Sequence, residues 1–264
     1  MLTSAVLELY PKRKENHPGF TGHMVHDWLF DWIKTIDATQ FHLLCLPRQV
    51  KPITSSGLIR SQGGSSCVRL TAFEPDHSAW LAHHLWQSLP SSISIGNVDY
   101  EVITIWNDAS YHPWAGQTTY RHLVEHYLYG SDPGKKFSLF FASPTTFRSR
   151  GHNVPLPVPN LLLGSLLDRW HAYAPVTLDK AIRHIAATQV APSRYNLQTE
   201  AVRVKNSLQI GFTGRCEFTV LTENPYWRRV SHLLAAFAFY SGVGAKTAWG
   251  MGQVRPIGKN RKDP

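Results

Sequence analysis

Only three cysteines (Cys45, Cys67 and Cys216) occur in 264 residues, an odd number set far apart with no Cys-x-x-Cys pair. That spacing points to neither a disulfide framework nor a cysteine-built zinc site, and a reducing cytoplasm is the expected compartment. No run approaches the roughly 18 apolar residues that a membrane-crossing helix needs. The start, from Met1 through Glu8 to Lys12, Arg13 and Lys14, lacks the apolar stretch of a secretory leader, so neither secretion nor membrane spanning is expected. Acidic residues are also scarce. Eighteen Asp and Glu stand against twenty-seven Lys and Arg, a net charge of +9 with every His neutral. Such an excess favours an anionic partner such as nucleic acid, although a generally basic protein gives the same total. Apolar residues are plentiful: 43% of the chain, with nine Trp, ten Tyr and twelve Phe, is enough for one large core or two smaller ones.

The pattern along the chain predicts an ordered α+β protein. Ala5 to Tyr10 alternates as a half-buried strand, and a turn-rich loop with Pro18 and Gly19 follows. From Gly22 to Asp37, the apolar residues Val25, Trp28, Leu29, Trp32, Ile33 and Ile36 recur at helical spacing, with His23, Asp27 and Lys34 on the other face and His26 at the margin. Lys51 to Ile59 and Cys67 to Phe73 read as a hairpin, Ser78 to Leu89 as a second helix, and Ile93 to Ile105 as a further strand. This β-α-β-β-α-β order is the ferredoxin-like, or RRM-like, unit: helices on one face of an antiparallel sheet.

After a linker region rich in His, Trp and Tyr, with a helix expected over Tyr120 to Tyr129, the chain passes Gly130, Asp132, Pro133 and Gly134. A boundary there gives domains 1–133 and 134–264. The second half repeats the order more loosely, with a strand at Phe137 to Ala142, a helix at Leu161 to Tyr173, a helical or irregular stretch at Leu178 to Val190, and strands at Ala201 and Phe212. A helix at Pro225 to Tyr240 and a strand at Gly252 to Pro256 close it.

The most informative stretch is Gly242-Val-Gly-Ala-Lys-Thr-Ala-Trp-Gly-Met-Gly252. Glycines let backbone N–H groups approach phosphates closely. The stretch fits neither the dinucleotide fingerprint nor the nucleoside-triphosphate loop, both of which need a strand before and a helix after. A plain helix-to-strand turn is the other reading.

Together with Phe141-Ala-Ser-Pro-Thr-Thr-Phe147, Phe41-His42 and Lys51-Pro-Ile-Thr-Ser-Ser56, this loop resembles the C-terminal signature of the repeat-associated RNA-binding (RAMP) proteins of CRISPR systems. The likeness is to the repeat-cleaving endoribonucleases of the Cas-six family in particular. It implies tandem ferredoxin-like domains, no cofactor and no metal. It also implies cutting of CRISPR precursor RNA within each repeat by ribose 2'-OH attack, leaving 2',3'-cyclic phosphate and 5'-OH ends. The partners it implies are the precursor and product CRISPR RNA and subunits of a CRISPR effector complex, with the protein a monomer or homodimer.

Such chemistry needs a base, an acid and a cation, and imidazoles serve the first two roles near neutral pH. The resemblance carries the catalytic role first to His42, just after the early helix, whose other reading is a histidine packed among Phe41, Leu43 and Leu44. His23 and His26, one helical turn apart, are further candidates, His23 slightly preferred. The division of acid and base work stays open. Lys51 and Arg48 are candidates for the cation. Arg148, Arg150, Lys246 and Arg255 are expected to contact the RNA backbone, with Gly242, Gly244, Thr247, Gly250 and Gly252 in the same surface. Trp249 fits base stacking and core packing equally.

One competing pattern stands in the sequence: His122-Leu-Val-Glu-His126 matches the inverted zinc-protease motif. In a chain with fourteen histidines it arises easily, and no downstream glutamate helix completes it. A non-catalytic RNA-binding subunit of a CRISPR interference complex, a zinc hydrolase and a structural basic domain are the alternatives to an endoribonuclease.

Overall fold

The computed structural model describes residues 1–13, 19–47 and 50–258; Pro18 and Arg48, singled out above, lie outside them. The chain forms two compact units. The first comprises Met1–Thr118 with Arg203–Leu208 and Lys246–Gly250, and the second comprises Thr119–Val202, Gln209–Ala245 and Met251–Pro264.

The first unit runs β1 (Leu2–Pro11), α1 (Gly22–Ile36), α2 (Ala38–Cys45), β2 (Ile53–Ser55), β3 (Ile59–Arg60), β4 (Ser66–Ala72), α3 (Pro75–Gln87), β5 (Ser92–Ile95), β6 (Val98–Trp106) and β7 (Gly116–Thr118). Its sheet has the order β2-β4-β1-β6-β5, with β1 central and antiparallel to both neighbours. Leu7 lies opposite Val68 on one side and Ile105 on the other. Alternation sends Ala5, Leu7 and Leu9 to one face. There they pack with Val25 and Leu29 of α1, Leu81 and Leu85 of α3, and Val68 and Leu70. Each such buried leucine contributes on the order of 2 kcal/mol of transfer free energy.

Helix α1 forms where the apolar stripe was legible. Asp37 ends it in an extended conformation and then starts α2, its Oδ1 accepting the N–H of Gln40 at 3.0 Å. That backbone N–H, aided by Trp80 Nε1, holds the Asp37 carboxyl below its ordinary range. His42 was expected in the segment after the first helix; that segment is itself the helix α2. Two single strands expected from the sequence are split: β2 and β3 are separate, and β5 and β6 form a hairpin across Gly96 and Asn97.

The second unit runs α4 (Tyr120–Tyr127), β8 (Lys136–Thr145), β9 (Phe147–Ser149), β10 (His152–Val154), α5 (Pro159–Tyr173), α6 (Ile182–Gln189), β11 (Val190–Val204), β12 (Ser207–Val220), α7 (Pro225–Ser241) and β13 (Val254–Pro256). The sheet order is β11-β12-β8-β13, and β9 and β10 form a hairpin of their own. Both units thus carry the ferredoxin-like strand order, the first strand central beside the third and the last. The chain folds as tandem ferredoxin-like α+β domains.

The first unit's leading segment ends at Thr118, and α4 belongs to the second unit. Its Tyr120 ring packs 5.0 Å from Trp170 and 5.7 Å from Phe237 in the aromatic core of the second unit.

Candidate RNA-cleavage site

Within the first unit, three glycines permit one close approach. A Cβ on Gly22 would lie 2.2 Å from the carbonyl oxygen of Trp249. One on Gly250, whose φ is +89°, would lie 2.7 Å from Gly22 Cα and 3.1 Å from Gly57 N. The turn Thr247–Trp249 is therefore pressed against the first turn of α1 and the segment after β2.

That approach gives the Ala248 carbonyl two donors. Ser55 Oγ donates at 2.8 Å and His26 Nδ1 at 3.0 Å. A carbonyl only accepts, so His26 carries its proton on Nδ1 and keeps a lone pair on Nε2. Burial lowers the His26 pKa to about 4; Asp27 and the Ala248 carbonyl oppose the shift, and Lys205 and Lys51 add to it. The imidazole is neutral throughout the physiological range.

A run of ring contacts leads from His26 on α1 to His42 on α2. His26 is 4.1 Å from Phe30, Phe30 is 6.3 Å from Phe41, and Phe41 is 5.8 Å from His42. His42 is exposed on α2 and is not packed among Phe41, Leu43 and Leu44. Lys51 donates from Nζ to the carbonyls of Leu44 and Leu46, both at 2.9 Å, at the C-terminal end of α2. There an ammonium satisfies orphan carbonyls and meets the negative end of the helix dipole. Buried Nδ1 of His23 has no hydrogen-bond partner.

Two ammonium groups approach Trp249, Lys246 Nζ at 4.6 Å and Lys205 Nζ at 5.3 Å from its ring centre, and its ring centre is 5.9 Å from that of His26 in an edge-on arrangement.

In the second unit, Arg148 and Arg150 are exposed on the β9–β10 hairpin, Arg150 at its tip with a φ of +48°. The glycines of this unit act differently from the phosphate-approach expectation. The N–H of Gly242 donates to Ala238 O, that of Gly244 to Ser165 Oγ and that of Gly252 to Pro144 O. Close packing explains the glycine at 244, where a Cβ would be 2.4 Å from Thr146 O. Arg255, expected at the surface, is 6% exposed and lies on β13 opposite Phe140.

Sequence reasoning missed Ser55, Asp27, Lys205 and Arg169. The guanidinium of Arg169 is buried, donates to Ser241 O and Gly244 O, and is pulled down to about 10 by desolvation. Lys205 and Asn206 form the two-residue turn between β11 and β12, a pair that carries no strong turn signal in the sequence. His122 and His126 stack at 6.1 Å on α4, and Arg121 takes up Glu125 at 2.7 Å. Among the described residues no three His, Cys, Asp or Glu form a group able to hold a metal, and no helix is long and apolar enough to cross a membrane.

Two ferredoxin-like units with a glycine-rich loop before the last strand define a tandem ferredoxin-like protein. A family model described as CRISPR-associated endoribonuclease Cas6 matches residues 139–254. A Cas6 endoribonuclease of Streptococcus thermophilus is 32% identical over 134 residues, 48% of this chain and 52% of that protein, so the match spans about half the length of this curated relative. The Cas6 TTHB231 of Thermus thermophilus, solved as a product complex, superposes with a TM-score of 0.84 at 27% identity, covering 97% of this chain and 100% of that one. The Cas6 TTHA0078 product complex gives 0.81 at 26% identity over 97% and 99%. The chain is thus similar to Cas6, or Cas-six, endoribonucleases, in sequence over residues 139–254 and in fold over nearly its whole length.

Proposed function

We propose that this protein is an endoribonuclease that cuts CRISPR precursor RNA within its repeats, in the cytoplasm, without a metal or other cofactor. The observation that carries this reading is the neutral His26 imidazole, fixed as the Nδ1–H tautomer by Ala248 O and joined through Phe30 and Phe41 to the exposed His42. The match of residues 139–254 to the Cas6 family model and the likeness to two Cas6 product complexes support it.

In this reaction the ribose 2'-oxygen attacks the adjacent phosphorus, a phosphorane forms, and the bond to the 5'-oxygen breaks. The 2'-OH proton passes to a base, and the departing 5'-oxygen takes a proton from an acid. His42, exposed on α2, is the residue placed at the reacting atoms. His26 offers only a lone pair at neutral pH, which suits it to receive the 2'-OH proton. A phosphate nearby raises the pKa of an imidazole by favouring its charged form. His23, on the same helix, is the alternative second imidazole. Lys51 holds the end of α2 and adds positive charge to the site. Arg148, Arg150, Lys246 and Trp249 bind the RNA, and the product passes to subunits of a CRISPR effector complex.

The test is incubation of the protein with end-labelled repeat RNA in excess chelator, followed by analysis of the ends. Cyclic phosphate and 5'-OH ends are expected. Repeat RNA that is bound and left intact would instead mark a non-catalytic RNA-binding subunit.

A further inference from the structure

Among the described residues, three non-glycine residues have a positive φ, and all are basic: Arg150 at +48°, Lys205 at +51° and Lys246 at +58°. A non-glycine side chain is strained in this region, and such strain concentrates at functional sites. Two of the three, Lys205 and Lys246, belong to the first unit and direct their ammonium groups at one indole, that of Trp249. Lys246 follows from the glycine-rich loop; Lys205 comes from the two-residue turn between β11 and β12, far away in sequence.

Among the described residues Lys205 has one anionic contact, Asp27 Oδ1 at 3.3 Å, in a pair about half exposed on both sides. Such a pair contributes little to stability and exchanges partners readily. Asp27 is the next residue after His26, so Lys205 stands beside the histidine of the candidate site. Lys51, the cation expected from the sequence, has its ammonium held by two carbonyls at the end of α2.

Taking the repeat-cleavage reading above as the basis, we propose that Lys205 is a phosphate-binding residue of the site, gripping an RNA phosphodiester beside a base stacked on Trp249. Without RNA, Asp27 holds the ammonium in place. With RNA, the phosphate replaces the carboxylate, and Lys205 and Lys246 close on the backbone beside the indole. A π-face accepts any base, and an ammonium any phosphate, so this clamp supplies affinity without sequence readout.

The experiment measures binding of a repeat RNA carrying a 2'-deoxy sugar at the cut site, by fluorescence anisotropy over a salt series. Wild type is compared with Lys205→Ala, Lys205→Arg and Asp27→Asn, and with Lys135→Ala as a surface-lysine control. Lys205→Ala is expected to weaken binding about tenfold and to reduce the salt slope by about 0.7 to 0.9, the value of one lost phosphate contact. Lys205→Arg is expected to restore both, and Asp27→Asn to tighten binding by removing the competing carboxylate. Matching thermal melts separate this from misfolding. A Lys205→Ala protein with the affinity and slope of Lys135→Ala overturns the assignment. If wild type binds the repeat RNA but does not cut the unmodified form, the cleavage reading fails while the salt slope still decides Lys205. If wild type binds no RNA, both fail.

Discussion

The imidazole of His26 and the backbone carbonyl of Ala248, 222 positions apart in the chain, are joined by a 3.0 Å hydrogen bond inside the first compact unit. This bond fixes the tautomer, and the burial that accompanies it drives the imidazole pKa down.

A pH dependence of stability follows. The unfolded chain protonates His26 near the ordinary value of 6.5, whereas the folded chain does so only near 4. The unfolded state therefore binds more protons in that window. His26 contributes stability above pH 6.5 that is lost as pH falls toward about 4, on the order of 3 kcal/mol in full. Urea denaturation of wild type and His26→Gln from pH 7.5 to 4 checks this: the two stability curves should converge as pH falls, and parallel curves would contradict it.

The glycine contact at the base of the site gives a second expectation. A methyl on Gly22 meets Trp249 O at 2.2 Å and forces the Thr247–Trp249 turn away from α1. Gly22→Ala should destabilise the protein by about 3 kcal/mol and abolish cleavage. Gly63→Ala, with nothing within 4 Å and only its φ of +83° against it, should cost about 1 kcal/mol and leave cleavage intact. Chemical denaturation and a cleavage assay on both variants check it.

Lys51 distinguishes positioning from direct contact. Its ammonium caps Leu44 O and Leu46 O, so Lys51→Ala should lower stability by about 1 kcal/mol and slow cleavage by loosening the helix that carries His42. Lys51→Arg should recover part of both. Loss of cleavage with an unchanged melting curve would instead place Lys51 on the phosphate.

Helix α1 was legible because Val25, Leu29, Trp32 and Ile33 repeat at helical spacing, and the β-α-β-β-α-β order was readable from alternation in β1, β4 and β6. Helix α2 was not, since its eight residues bury only Leu44 and its start depends on the Asp37 side chain. Strand β11 was read only at Ala201 for a related reason: most of its residues from Ser193 to Ala201 are exposed, so no alternation marks its length. His26, His42 and Trp249 were singled out from the sequence. Their association was not, because it arises from the packing of Gly22, Gly57 and Gly250 and from a carbonyl, and a carbonyl leaves no mark on residue identity. The same limit hid Lys205, whose partners are distant in the chain.

The most direct measurement is cleavage of labelled repeat RNA in excess chelator by wild type and by His42→Ala, with a second RNA carrying a 2'-deoxy sugar before the cut. His42 is exposed, so its removal should change stability by less than about 0.5 kcal/mol and leave RNA binding intact. The account predicts a fall in cleavage rate of roughly 10²- to 10⁴-fold for His42→Ala and no cut in the deoxy RNA. Undiminished cutting by His42→Ala, or cutting of the deoxy RNA, would contradict it.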